Sequence, residues 1–215
     1  MRLALFPDLM ARPLTILAGL AFFALGGMAR LSAMTVEAMD LNRLLRDAPE
    51  IYKAQVMSVT CDWSGVSTNR HIATFVRLRV LESYRGAVEG EQVLEFFGGT
   101  IGDRTQRIVG MPQFQPGDID ILFVRGNHTD ICPLAGIFHG RLRVVTNAAD
   151  GREQVFLHDG SPLTNMSLIG TEPGARPKPA ATDLRGEPTR ALTTTEFGVE
   201  IRAGLKQRGI AADEP

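Results

Sequence analysis

The chain has 215 residues, 44% of them hydrophobic, and sets 23 basic residues against 24 acidic ones. A formal net charge of −1 supplies no electrostatic footprint for nucleic acid or an anionic membrane surface. The hydrophobic content is sufficient for one buried core.

The apolar run Leu14-Thr-Ile-Leu-Ala-Gly-Leu-Ala-Phe-Phe-Ala-Leu-Gly27 follows Arg12 and precedes small residues. It is short for a spanning helix, which needs about 20 apolar residues, and has the length of a secretory-signal core. Residues 1–29 are therefore expected to be a signal peptide cleaved after Ala29, with Ala33 as a second cleavage point and an uncleaved anchor as the alternative. Cleavage places the protein in the periplasm or the medium and leaves no membrane span.

Thr35 is a candidate helix cap, and Val36, Met39, Leu41, Leu44 and Leu45 then recur at three- and four-residue intervals up to Pro49. From Ile51 to Thr60 the pattern turns to a strand, with Tyr52, Ala54, Val56 and Ser58 on one face and Lys53 and Gln55 on the other. Cys61 to Asn69 reads as a polar loop that holds Trp63. A second strand, His71 to Leu81, alternates Ile72, Thr74, Val76, Leu78 and Val80 with Arg77 and Arg79, which predicts one buried face and one wet face. Strands follow at 92–97, 119–124, 137–145 and 153–157, the last across the turn at Asp150-Gly151. A long glycine-rich connection occupies Gly98 to Gly117. Short strands with such turns predict a mainly β domain over 34–170, either a closed antiparallel barrel or a sandwich. Residues 171–190, rich in Pro, Gly, Ala and Thr, are expected to be a linker. Thr193-Thr-Thr-Glu196 is a capping-box pattern that opens an amphipathic helix over 193–208, with Phe197, Ile201 and Leu205 on one stripe. Gly198 and Gly204 each weaken that helix by roughly 1 kcal/mol relative to alanine, so the stripe needs a surface to cover.

Cys61 and Cys132 are the two cysteines. In an oxidising compartment they would form a disulfide, worth roughly 4 kcal/mol for so long a loop; otherwise they are unpaired thiols packed as small hydrophobes. His71, His128, His139 and His158 show no metal-ligand spacing. Ser64 and Ser161 lie outside any nucleophile motif. Asp118 and Asp120 flank one residue and so share a strand face, an arrangement seen at solvated strand entrances as well as in acid/base pairs. The 98–117 segment lacks a Gly-Lys-Ser/Thr and does not open a helix, which argues against a phosphate loop. It reads either as a plain connection or as a binding loop anchored by Met111 and Phe114. Trp63 is either a lid over one end of the domain or a contact residue.

The segments Leu41-Asn-Arg-Leu-Leu-Arg-Asp-Ala-Pro-Glu-Ile-Tyr-Lys-Ala-Gln-Val56, Arg77-Leu-Arg-Val-Leu-Glu-Ser-Tyr-Arg-Gly86, Gly98-Gly99, Gly110-Met-Pro-Gln-Phe114, Pro116-Gly117-Asp118 and Ile121-Leu-Phe-Val124 resemble a group of uncharacterised exported bacterial proteins. Those proteins carry Gly-x-Pro-x-Phe-x-x-Gly-Glu before a buried strand, and Asp118 stands here where Glu is usual. A weaker resemblance is to the netrin-like module of the tissue inhibitors of metalloproteinases, an OB-type barrel. These resemblances imply an OB-like closed antiparallel barrel of five or six strands with a short N-terminal helix and a C-terminal helix. They do not carry over the inhibitors' chelating N-terminal cysteine, which no cleavage here exposes, so only fold transfers.

Two function classes stay open. One is an exported, non-catalytic binding or inhibitor-like module without cofactor or metal. Its expected partner is another exported protein, an exported protease being the first candidate, reached through Trp63, Met111 and Phe114. The alternative is an enzyme or accessory subunit whose site is assembled from residues distant in sequence, with Asp118, Asp120 and His139 as candidates.

Overall fold

The computed structural model describes residues 39–171 and 190–213. The expected leader 1–29, the cap at Thr35 and residues 172–189 of the linker expected at 171–190 lie outside the described residues. Helix α1 (Leu41–Asp47) is capped by Asp40, whose carboxylate accepts from the Arg43 N–H at 2.8 Å. The strands are β1 (Glu50–Ser64), β2 (His71–Arg85), β3 (Glu91–Phe97), β4 (Gly99–Ile101), β5 (Arg104–Gln106), β6 (Ile119–Val124), β7 (Arg141–Thr146) and β8 (Glu153–Phe156). Helix α2 (Thr194–Gln207) follows, and its capping box forms in full between Thr193 and Glu196.

Six strands make one antiparallel sheet in the order β3-β2-β1-β6-β7-β8, and β4 and β5 form a separate hairpin. The fold is thus mainly β with two helices, as the alternation predicts. Among the described residues no ladder joins β3 to β8, so strand pairing leaves the sheet open where a closed barrel was expected. Both outer edges are covered by loops instead. On β8 the Val155 N–H donates to Leu192 O at 2.9 Å, and Leu163 N–H donates to Val155 O at 3.0 Å.

The central strand β6 is apolar almost throughout because both of its faces are buried. Ile121 and Phe123 join Ile51, Leu142 and Val155 beneath the helices, where Leu44 and Leu45 of α1 and Phe197, Ile201 and Leu205 of α2 complete one core. Leu122 and Val124 face the other way, with Tyr52, Val56, Val76, Leu78, Phe96, Phe114 and Leu134. The two glycines that weaken α2 in isolation lie close to its neighbours. A Cβ on Gly198 would stand 3.1 Å from Tyr84, and one on Gly204 would stand 3.0 Å from Leu45.

Three sequence expectations change. The stretch from Cys61 to Ser64 is strand, because β1 and β2 continue past β6 as a two-stranded ribbon in which Trp63 pairs with Ile72. The strand expected at 137–145 starts only at Arg141, as β7, since Ile137–Gly140 is a 3-10 turn entered through Gly136 at φ 65 and Ile137 at φ 57. The glycine-rich connection contains the β4–β5 hairpin, turned at Gly102-Asp103. Cys61 and Cys132 are both free. Cys61 lies opposite Thr74, Thr74 lies opposite Phe96, and the Cys132 segment packs beyond the outer edge of β3, so β2 and β3 stand between the two thiols.

Candidate functional site

The segment 107–118 leaves the hairpin and returns to the sheet through a tight turn. Pro116 and Gly117 are its central residues, Gly117 has φ 94, and the Asp118 N–H donates to Gln115 O at 3.0 Å, the signature of a type II turn. Gly117 N–H and Asp118 O then bracket Val56 with two 2.8 Å bonds, which sets the register of β6 on β1. Asp118, Asp120 and Leu122 consequently share one sheet face with Arg141 and Arg143 across the β6–β7 ladder.

Arg141 is the hub of this face. Its Nε and Nη2 donate to the two carboxylate oxygens of Asp120, each at 2.9 Å, and Nη2 also donates to Asp118 Oδ2 at 3.0 Å. Nη1 donates to the carbonyl of Gln113, and the guanidinium lies 4.1 Å above the centroid of the Phe114 ring. Asp120 is fully buried and Arg141 nearly so. Burial pushes the Asp120 carboxyl up, and the hydrogen bonds and charge of Arg141 oppose that shift. Phe114 in turn packs on Phe96 with centroids 5.1 Å apart. One side of the loop is therefore nailed to the sheet by an aromatic ring and a charged fork.

The other side borders solvent. A cleft of about 630 Å³ is lined by Met111, Gln113, Asp118, Phe138, Arg141 and His158, among others. Across the loop a second cleft of about 520 Å³ runs beneath the β4–β5 hairpin, past Phe97 and Ile108. Gly110, Met111, Pro112 and Gln113 line both, so this stretch is a wall between two hollows. Beside the first cleft, Phe138, His139 and His158 form a cluster of rings with centroids 4.4 to 5.4 Å apart.

The structure thus brings together Asp118, Asp120, Met111 and Phe114 and places His139 next to them. Met111 is half-buried in the cleft wall, whereas Phe114 is only 9% exposed and belongs to the core. Trp63 is elsewhere, at the far end of the β1–β2 ribbon, with Arg70 4.7 Å and Arg104 5.8 Å from its ring centroid. Sequence reading missed Arg141, although Asp118-Ile-Asp120 and Arg141-Leu-Arg143 are complementary alternations of the kind that pair across neighbouring strands. Among the described residues no group of three or more His, Cys, Asp or Glu side chains is arranged to hold a metal ion. Comparison with protein-family models, with curated proteins and with solved structures finds no match to the chain.

Proposed function

We propose that the chain is an exported, non-catalytic binding module that takes an extended segment of another exported protein against the wall formed by residues 107–114. The observation carrying this reading is the two-sided character of that wall: Met111 lines both clefts, while the adjacent Phe114 is buried under Arg141. A loop already held in one conformation gives up little entropy on binding, and a half-buried, flexible thioether adapts to varied partners. An exported protease is the first candidate partner. Export rests on the leader 1–29.

The test is a photo-crosslinking amino acid at position 111 in the native envelope. A single partner should be trapped, and Met111→Ser should weaken its binding by more than about 1 kcal/mol without altering thermal unfolding. Binding that is insensitive to this substitution overturns the reading. The enzymatic alternative draws on the convergence of Asp118, Arg141 and His158 at the first cleft. There Asp120 is buried beneath Arg141, while Asp118, also bonded to Arg141, and His158 line the cleft.

A further inference from the structure

Strand β1 outruns β6. The two pair from Glu50 to Gln55, the Pro116-Gly117 turn adds two bonds at Val56, and from Ser58 to Ser64 β1 is paired with β2 alone. The direction of the backbone groups in that stretch follows from Ile72, which lies opposite Trp63. Ile72 O accepts from Gly98 N–H at 2.8 Å, and Ile72 N–H donates to Gln106 Oε1 at 3.2 Å, so both groups are spent away from β1. Directly opposite residues of an antiparallel ladder alternate between exchanging two bonds and exchanging none. Trp63, Cys61 and Val59 therefore turn their N–H and C=O groups outward, into the lane that would continue β6. Trp63 N–H donates to Asp62 Oδ1 at 2.7 Å. Among the described residues, the Trp63 carbonyl and the backbone groups of Cys61 and Val59 have no partner in that lane.

The outer edges of the sheet are treated differently. On β3, Asn127 Oδ1 accepts from Glu95 N–H at 3.0 Å, Asn127 Nδ2 donates to Val93 O at 2.6 Å, and Phe97 N–H donates to Ile131 O at 3.0 Å. The β8 edge is covered at Val155 in the same way. An edge left uncovered is a template for pairing with another chain, and Thr60, Cys61 and Asp62 are exposed. Val59, Cys61 and Trp63 share one face of β1, and Val59 lines the second cleft together with Met111. At the far end of this face the exposed guanidiniums of Arg70 and Arg104 lie 4.7 Å and 5.8 Å from the Trp63 ring centroid. Among the described residues neither guanidinium meets a carboxylate.

We propose that β1 takes up an acidic, extended protein segment as an added strand along residues 59–63, in the lane that β6 leaves open. This rests on the reading of residues 107–114 as a wall that holds such a segment, and it names how the segment is held. Main-chain hydrogen bonds to Val59, Cys61 and the Trp63 carbonyl supply attachment, and alternate side chains supply selectivity. A carboxylate on the Trp63 face meets Arg70 and Arg104, whose donors are otherwise unmatched. A second copy of β1 fits the lane less well. Paired antiparallel with itself, it brings Val59, Cys61 and Trp63 to that face and no carboxylate, since Asp62 points to the other side.

Amide hydrogen exchange of the full chain, with and without a capped peptide of alternating threonine and glutamate, reads the lane directly. Protection of the Val59 and Cys61 amides is expected to rise about tenfold with this peptide and to stay unchanged with a threonine–lysine peptide. Cys61→Pro removes an N–H that faces the lane and leaves the β2 ladder intact, so it should weaken the peptide about tenfold, whereas Cys61→Ser should not. If Cys61→Pro melts below the parent, the exposed double variant Arg70→Glu/Arg104→Glu decides instead, and it should exchange the preference to the threonine–lysine peptide. No gain in protection, equal gains with both peptides, or an unchanged preference in the charge-reversed variant each overturns the proposal. Protection without peptide in a chain that sediments as a dimer overturns it too, in favour of a second copy. If Met111→Ser weakens partner capture while Val59 and Cys61 gain no protection, the wall stands and strand addition falls. Protection gained with no partner trapped at position 111 sinks the wall and keeps the edge.

Discussion

Arg141 and Asp120 face each other through two parallel hydrogen bonds of 2.9 Å, with the aspartate wholly excluded from solvent. Removing one partner of such a pair leaves an unmatched buried charge, a loss of about 3–5 kcal/mol. Arg141→Met and Asp120→Ala should each lower the urea midpoint accordingly. The double variant Asp120→Ala/Arg141→Met should lose less than the sum of the two single variants.

Phe114 and Met111 are three positions apart and should behave differently. Truncating the buried ring, as in Phe114→Ser, should cost about 3 kcal/mol or more, because it opens a cavity against Phe96 and removes the ring beneath Arg141. Met111→Ser should stay within about 1 kcal/mol of the parent. Chemical denaturation of the pair checks this, and comparable losses would place Met111 in the core as well.

Helix α2 tests whether its glycines are weaknesses or fitted contacts. On propensity alone Gly198→Ala should stabilise the chain by about 1 kcal/mol. The new methyl would stand 3.1 Å from the Tyr84 ring, which is fully buried and braced edge-on by Phe197, so we expect a net loss of stability. A rise in melting temperature would show that the ring can move aside.

The two thiols should react as separate groups. Cys61 is exposed, whereas burial pushes the Cys132 thiol up to about 11. A thiol reagent at neutral pH is expected to modify Cys61 in the native protein and Cys132 only on unfolding. Isolation of a Cys61–Cys132 disulfide from oxidised, folded protein would contradict the arrangement seen here.

Acid should loosen the C-terminal helix. Hydrogen bonds from Arg190 hold the Glu196 carboxyl down at about 2, with further bonds from Thr193 and against the opposing effect of burial. A carboxyl lowered by folding contributes stability that is complete above its unfolded value near 4.3 and fades as pH falls toward 2. Unfolding curves at neutral and acid pH should show Glu196→Gln to be less stable than the parent at pH 7 and closer to it in acid. An unchanged gap would mean that the capping box does not titrate with folding.

The strands expected at 71–81, 92–97, 119–124 and 153–157 are found at 71–85, 91–97, 119–124 and 153–156, and they and the capping box at Thr193 were legible because period-two alternation and cap chemistry are local properties of the chain. The likeness of Asp118 and Asp120 in facing one way was legible for the same reason. What they face was not: Arg141 comes into reach only because β6 pairs with β7, a register set by non-local hydrogen bonds. Phe114 and Met111 look alike in a glycine-rich segment without periodicity, and only packing made one a core ring and the other a cleft wall. The strand expected from Ile137 was broken by two left-handed residues. Local patterns specify which face a side chain takes; the partner across from it depends on long-range strand pairing, which no short window of sequence contains.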